Sequence, residues 1–280
     1  MNKTAAFLSL GCKVNSYETE AIRGMFEAAD YNIVDFKDVA DVYIVNTCTV
    51  TNIADRKSRQ MLHQAKKRNP DAIITAVGCY VQADEEKLSN DSSVDLIVGN
   101  NRKSEILQLV ESLRMKRKNN TDALANINDS RVVDIGAEKD YENLEVMSTM
   151  DKVRAFIKIQ DGCNRFCSYC IIPYVRGRVR SRDDKDILKE ITKLAMNGYK
   201  EFVLTGIHLS SYGIERLDNT DQLYELMPLA SLIKSISAIP GVSRIRLGSL
   251  EPRIITEDFV KEIAGVEQFC PHFHLSLQSG

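Results

Sequence analysis

The first 113 residues alternate short apolar runs with stretches of helical periodicity, and this alternation leaves the chain few architectures to choose from. TAAFLSL (residues 4–10), NIVDF (32–36), VYIVNT (42–47), AIITAVG (72–78) and LIVG (96–99) are short and mostly β-branched. Runs of this kind suit strands of a parallel sheet buried on both faces. Between them, Tyr17, Ala21, Met25 and Phe26 recur at helical spacing. Ile53, Met61, Leu62 and Ala65 do so less regularly, and Ile106, Leu107 and Val110 mark a last helix. Strand and helix in turn predict a doubly wound α/β sheet.

Residues 114–150 lose that rhythm and turn polar, which reads as a linker with one short strand at Arg131–Ile135. The alternation then resumes. VRAFIKIQ (153–160), EFVLTG (201–206), SRIRLGS (243–249) and HFHLSLQ (272–278) read as strands. ILKEITKLA (187–195, ended near Gly198), Leu223 to Ile239 and ITEDFVKEIAG (255–265) read as helices. The succession predicts a parallel (βα) barrel, but four strands are too few to close one. The expected fold class is therefore α/β. An N-terminal doubly wound parallel-sheet domain (1–113) and a linker (114–150) precede a partial (βα) barrel that is cut short (151–280). An open fourth strand leaves an edge that proteins normally pair or cover, so the sequence is expected to be a piece of a longer protein.

At 280 residues, 44% hydrophobic and 27% charged, the chain has the length for two cores and the composition of an ordinary globular protein. Its net charge of −2 means that any nucleic-acid surface must be a local patch. No stretch approaches the ~18 apolar residues of a membrane span. The N-terminus MNKTAAFLSLGCKVNSYETE turns polar before a secretory signal is complete, so the expected location is cytoplasmic, away from membranes. In a reducing compartment seven cysteines point to metal binding or catalysis rather than to disulfides.

Three of them, Cys163, Cys167 and Cys170, have the spacing C-x3-C-x2-C directly after the first barrel strand, where parallel barrels carry their chemistry. Thiolates at this density suit a soft metal, zinc or an iron–sulfur cluster. Structural zinc wants four ligands and only three are local, whereas three ligands on a cubane leave one iron free. Buried core thiols are a poor alternative, because Gly162, Asn164, Arg165 and Ser168 make the stretch loop-like. A second trio is dispersed: Cys12 in SLGCKVN, Cys48 in VNTCTVT and Cys79 in AVGCYVQ. Each stands at the C-terminal end of a predicted strand, so the three can converge on one pocket, or they can simply fill space between sheet and helix. Gly11 and Gly78, directly before two of them, allow close backbone approach. Cys270, beside Pro271, reads as a passive core thiol.

GCNRFCSYCIIPYVRGRVRSR resembles the radical S-adenosylmethionine signature of the methylthiotransferases, and Cys12, Cys48 and Cys79 fit that family's N-terminal cluster domain. GCKVNSYETEAI, VLTGIHLSSYG, RIRLGSLEP and HFHLSLQSG look most like the branch that modifies threonylcarbamoyladenosine in tRNA. Sister branches act on isopentenyladenosine in tRNA or on an aspartate of a ribosomal protein. The resemblance implies two 4Fe–4S clusters. One is held by Cys163, Cys167 and Cys170, whose open iron binds S-adenosylmethionine for radical chemistry; the other, on Cys12, Cys48 and Cys79, carries or delivers sulfur. It further implies methylthiolation of C2 of the adenine at position 37, next to the anticodon. The implied partners are tRNA, a sulfur source and an electron donor such as flavodoxin or ferredoxin. By position, Thr205, Gly206 and His208 meet the S-adenosylmethionine, as does Gln278 at the fourth strand's end. His208 can equally be a hydrogen-bonded structural histidine, and His272 and His274, alternating on one strand, would face the same side. The rival from another class is a non-catalytic iron–sulfur or zinc RNA-binding module.

Arg176, Arg178, Arg180 and Arg182 lie two apart, so in an extended segment all four project to one side and suit an RNA backbone. The alternative is a solvated loop or ion pairs to Asp183, Asp184 and Asp186. Arg114, Lys116, Arg117 and Lys118 read as a solvated helix end.

Overall fold

The computed structural model describes residues 3–119, 129–146, 153–219 and 222–278, which form two compact units. The first draws on residues 1–138, 142–144 and 167–176, the second on 139–141, 145–166 and 177–280. The boundary is thus crossed several times in sequence, and the segment carrying Cys167 and Cys170 is part of the first unit.

In the first unit the elements run β1 (Lys3–Ser9), α1 (Lys13–Ala28), β2 (Tyr31–Val34), β3 (Val42–Thr47), α2 (Asn52–Arg68) and β4 (Ile73–Gly78). There follow α3 (Cys79–Ala83), α4 (Glu85–Ser89), β5 (Leu96–Val98), α5 (Ile106–Lys118), β6 (Asp129–Arg131) and the short α6 (Ile172–Val175). The described strands make one parallel sheet in the order β2-β1-β3-β4-β5-β6. Alternation along each strand feeds two cores. Ala5, Val42, Ile44 and Val98 pack with Ile22 and Phe26 of α1 and Ile106 and Val110 of α5. Ala6, Tyr43, Val45 and Ile74 pack with Leu62 and Ala65 of α2 on the other face. This is the doubly wound arrangement, and its strand order reverses between β1 and β3, the point at which open α/β sheets bind ligands. Ile53, expected on the inward stripe of α2, is 71% exposed, because it sits at the first turn, ahead of the part of the helix that meets the sheet.

The polar stretch from 114 is more structured than its composition suggested. α5 runs on to Lys118, and the extra strand, expected at Arg131–Ile135, is β6, which pairs Asp129–Arg131 with β5. Ile135 and Leu144 are buried, and the Tyr17 hydroxyl donates to the Leu144 carbonyl.

The second unit contains β7 (Arg154–Asp161), β8 (Arg180–Ser181), α7 (Asp184–Met196), β9 (Glu201–Gly206), α8 (Gln222–Leu226), α9 (Pro228–Ser237), β10 (Arg244–Leu247), β11 (Ser249–Leu250), α10 (Glu257–Ala264) and β12 (His274–Leu275). The strand order is β10-β9-β7-β8, with β7, β9 and β10 parallel and β8 antiparallel to β7. Ile157, Phe202, Leu204 and Ile245 form a core with Ile187, Ile191 and Leu194 of α7 and Leu232, Ile233 and Ile236 of α9. Two expectations need correction. The helix at 223–239 is two helices, since Pro228 has no amide to continue α8 and disfavours helical backbone at the residue before it; Met227 takes the left-handed region at φ 42°. The fourth strand shrinks to His274–Leu275, paired in parallel with β11. His272 lies outside it, so strand alternation does not place it on one side with His274.

Among the described residues no helix is long and apolar enough to cross a membrane.

Candidate metal centre

In the first unit β1, β3 and β4 each deliver a cysteine at their C-terminal ends. Cys12 caps the start of α1, Cys48 follows β3 and Cys79 opens α3. Cys12 and Cys48 therefore flank the position where the strand order reverses. Gly11 and Gly78 both hold φ at +98°, and a Cβ on Gly11 would stand 2.8 Å from the Cys48 Sγ, so this glycine lets one cysteine loop pack on the next. Ser58 of α2 brackets Cys48: its hydroxyl accepts from the Cys48 amide at 3.3 Å and donates to the Cys48 carbonyl at 3.2 Å. Cys12 is exposed, whereas Cys48 and Cys79 are buried. Burial pushes the Cys48 thiol up; backbone hydrogen bonding from Val50 opposes this, and the nearby Cys79 and Cys12 add to the rise.

Around them lies a buried polar network. Asn15 Nδ2 donates to the carbonyls of Leu10 (2.7 Å) and Thr47 (2.9 Å), joining the ends of β1 and β3, while its Oδ1 accepts from the Cys12 thiol and from Arg176. Arg176, directly after α6 and wholly buried, grips the Glu18 carboxylate with Nη1 to Oε1 at 2.6 Å and Nη2 to Oε2 at 3.1 Å. Its Nε donates to the Cys79 Sγ at 3.2 Å. Lys103 Nζ stands 3.1 Å from Glu18 and bonds Asn100, whose amide nitrogen donates to the Val175 carbonyl at 2.6 Å and approaches the Cys79 Sγ at 3.9 Å. Two buried cations thus face one carboxylate, and one of them donates to a sulfur.

Among the described residues no three His, Cys, Asp or Glu side chains are gathered tightly enough to hold a single metal ion. The donor set suits a larger, softer group. Three thiols at neighbouring strand ends, one of them in contact with a buried guanidinium, match an anionic iron–sulfur cluster, which spreads its thiolates over the corners of a cubane.

Of the other trio, Cys163 lies in the second unit just past β7, and Cys167 and Cys170 in the first. Cys163 is buried; its amide donates to the Gly177 carbonyl at 3.0 Å and its sulfur accepts from the Arg165 amide at 3.5 Å. Gly162 holds φ at +72°, and a Cβ there would fall 1.8 Å from the Arg178 carbonyl oxygen, so only glycine fits. In the first unit the Cys170 amide donates to the Cys167 carbonyl at 2.9 Å, a turn that leads into α6; Cys167 is exposed and Cys170 half-buried.

At the strand ends of the second unit, Thr205 is buried and Gly206 packs against Gln160, where a Cβ would come 2.8 Å from the Gln160 Oε1. Gln160, which the sequence did not single out, fastens β7 to β9. Its Nε2 donates to the Asp161 and Gly162 carbonyls at 2.7 Å each, and its Oε1 accepts from the His208 amide at 2.7 Å. The His208 ring is held on both sides, Nδ1 to Ser211 Oγ at 2.7 Å and Nε2 to Glu251 Oε2 at 3.1 Å. Burial lowers its pKa, with Glu251 opposing and Arg165, itself 2.6 Å from Glu251, adding to the fall. Gln278 is exposed, with φ at +68°.

The arginine row is not the phosphate-facing strip its spacing suggested. α6, the left-handed Gly177 and the short β8 break the extended segment, and Arg176, Arg180 and Arg182 are buried. Arg182 pairs with buried Glu190 of α7, whose other oxygen accepts from the Val146 amide at 2.7 Å. Arg178 alone of the four is exposed, its guanidinium 4.2 Å over the Phe166 ring. The sequence did carry a signal for the polar network: Asn15 and Glu18, three apart, interrupt the inward face of α1 marked by Val14, Tyr17, Ala21 and Ile22. Glu251 had no such signal.

Residues 4–99 match the family model described as uncharacterized protein family UPF0004, and residues 157–280 match the radical SAM superfamily. The chain is 43% identical over 275 residues to the threonylcarbamoyladenosine tRNA methylthiotransferase MtaB of Aquifex aeolicus, and 41% over 277 residues to that of Bacillus subtilis. The aligned parts are 98% and 99% of this chain but 63% and 58% of those relatives, so the chain spans about three fifths of their length. The radical S-adenosylmethionine methyltransferase TsrM from Kitasatospora setae, solved with tryptophan and aza-SAM bound, superposes with a TM-score of 0.64. That match has 13% identity and covers 99% of this chain and 59% of the other, a likeness of fold. The partial barrel with its C-x3-C-x2-C loop after the first strand is thus the part of the chain that is similar to radical S-adenosylmethionine proteins. More particularly, along almost its whole length the chain is similar to threonylcarbamoyladenosine tRNA methylthiotransferases.

Proposed function

We propose that the chain is a tRNA methylthiotransferase acting at C2 of N6-threonylcarbamoyladenosine at position 37, next to the anticodon. The reading is carried by identity of 43% and 41% to two relatives of that name along almost the whole chain. Its cofactors are two 4Fe–4S clusters with S-adenosylmethionine as cosubstrate. Residues 1–113 form the cluster domain of the family, 114–150 the linker and 151–280 the radical domain. Cys163, Cys167 and Cys170 are the ligands of the radical-generating cluster, and Cys12, Cys48 and Cys79 of the auxiliary one. Bound there, one cluster would supply the electron for radical chemistry on S-adenosylmethionine and the other the sulfur, chemistry that an unactivated aromatic C–H requires because it offers no acid or base handle. The chain's own part is to position and to exclude water. Thr205, Gly206 and His208 present polar groups and close backbone at one strand end, with Gln278 beyond the last strand. Gln160 and Glu251 fix the His208 backbone and ring. Partners are tRNA, a sulfur source and an electron donor such as flavodoxin or ferredoxin; the location is cytoplasmic.

Anaerobic reconstitution with iron and sulfide should give about eight irons per chain and reductive cleavage of S-adenosylmethionine, and alanines at Cys12, Cys48 and Cys79 should leave about four. Zinc without cleavage would instead favour a non-catalytic module. Mass spectrometry of tRNA nucleosides from a deletion strain should show the methylthio group missing from threonylcarbamoyladenosine. Its persistence without a paralogue rules out this substrate.

A further inference from the structure

We propose that Arg176 is a positioning residue for the N-terminal cysteine trio. It is a buried cation that orients Cys79 and sets the reduction potential of whatever cluster the trio carries. The inference rests on the reading that Cys12, Cys48 and Cys79 hold an auxiliary cluster.

Arg176 comes six residues after Cys170, within the arginine-rich stretch that looked like an RNA contact. It is wholly buried, and it bonds Glu18, Asn15 and Cys79, all within the first unit. Its three nitrogens divide their work. Nη1 and Nη2 fork onto the Glu18 carboxylate, the bidentate geometry that fixes a guanidinium plane, which aims Nε at the Cys79 sulfur 3.2 Å away. Nη2 also reaches Asn15, which accepts from the Cys12 thiol and ties the chain ends on both sides of the strand-order reversal. One side chain thus touches one cysteine directly and a second through Asn15. A structural ion pair alone would be satisfied by Glu18; the additional N–H directed at a sulfur is what metal sites use to orient and tune a thiolate ligand. Glu18 also meets Lys103 at 3.1 Å, and the guanidinium places a buried cation in direct contact with the sulfur.

A positive charge beside a cluster stabilises the reduced, more negative state and raises its potential. The test uses the full chain with Cys163, Cys167 and Cys170 changed to alanine, so that iron reports on the N-terminal trio alone, at about four per chain. Redox titration followed by electron paramagnetic resonance then compares three further changes. Arg176→Gln should move the potential down and speed iron release to a chelator by about 10–100-fold. Glu18→Gln, which keeps the arginine and removes the opposing charge, should move it up. Arg182→Gln, which breaks a buried ion pair in the other unit, should cost stability and leave potential and spectrum unchanged. Opposite shifts from the first two support the proposal, since damaged packing would shift both alike. Unchanged potentials in iron-loaded Arg176→Gln and Glu18→Gln overturn the proposal and leave the cluster reading standing. A parent chain that takes up no iron overturns the cluster reading, and the proposal with it.

Discussion

Arg182 and Glu190 are both buried, and each satisfies the other's charge. Such pairs contribute little against an apolar replacement, but removing one member strands the other in a medium that solvates it badly. Glu190→Ala should therefore lower the free energy of unfolding by about 3–5 kcal/mol in a denaturant titration of the chain. At His208 burial disfavours the imidazolium, so the folded-state pKa lies below that of the unfolded chain. The neutral ring's contribution to stability is then complete above the ordinary histidine value of 6.5 and is lost as the pH falls through the lower folded value. Denaturation midpoints of the wild type should drop more steeply below that pH than those of His208→Gln; identical slopes would show that the ring does not titrate on unfolding.

Among the elements, the loop after β7 leaves no room for a side chain at its first residue. Gly162 occupies the left-handed region against the Arg178 carbonyl, where alanine would carry both the strain of positive φ, about 1–2 kcal/mol, and a collision with backbone that cannot rotate away. Gly162→Ala should therefore displace Cys163, and reconstitution of the chain should fall from about eight irons towards four, with the N-terminal trio still loaded. The elements themselves were largely legible: the strands of the first sheet follow from apolar runs such as VYIVNT, and all six residues of β3 are buried. What periodicity could not supply was context. The break at Met227–Pro228 was written in the sequence as a proline, but the apolar spacing continues across it and masked it. The fourth strand had the right composition and only two residues of partner to pair with. The alternating arginines assumed an extended backbone, which Gly177 and α6 deny them.

For the whole molecule, burial of Arg176, Arg180 and Arg182 withdraws three of the four arginines of the row from solvent. Four phosphate contacts would have given a salt slope of about −3 in tRNA binding; an exposed Arg178 alone supports a contribution of about −1 or less. Binding isotherms of Arg178→Ala across a salt series should differ from wild type by no more than that, and a larger change would mean that the segment opens to meet RNA. The six cysteines proposed as cluster ligands stood out because thiols at strand ends and in a tight triplet need no partner to be noticed. Asn15 and Glu18 showed only as polar breaks in the inward face of α1, and their bonds to Lys103 and Arg176 were hidden because a network shows itself only when distant positions are brought together.

That network also has a schedule. Glu18 is made early and Arg176 late, with the sheet between them, and at roughly 5–20 residues per second the stretch from Glu138 to Arg176 takes about 2–8 s to emerge. During that interval the nascent first unit has Lys103 to hold the carboxylate and, at the Cys79 sulfur, only the Asn100 amide 3.9 Å away. Arg176, on this timetable, is the latch that arrives last.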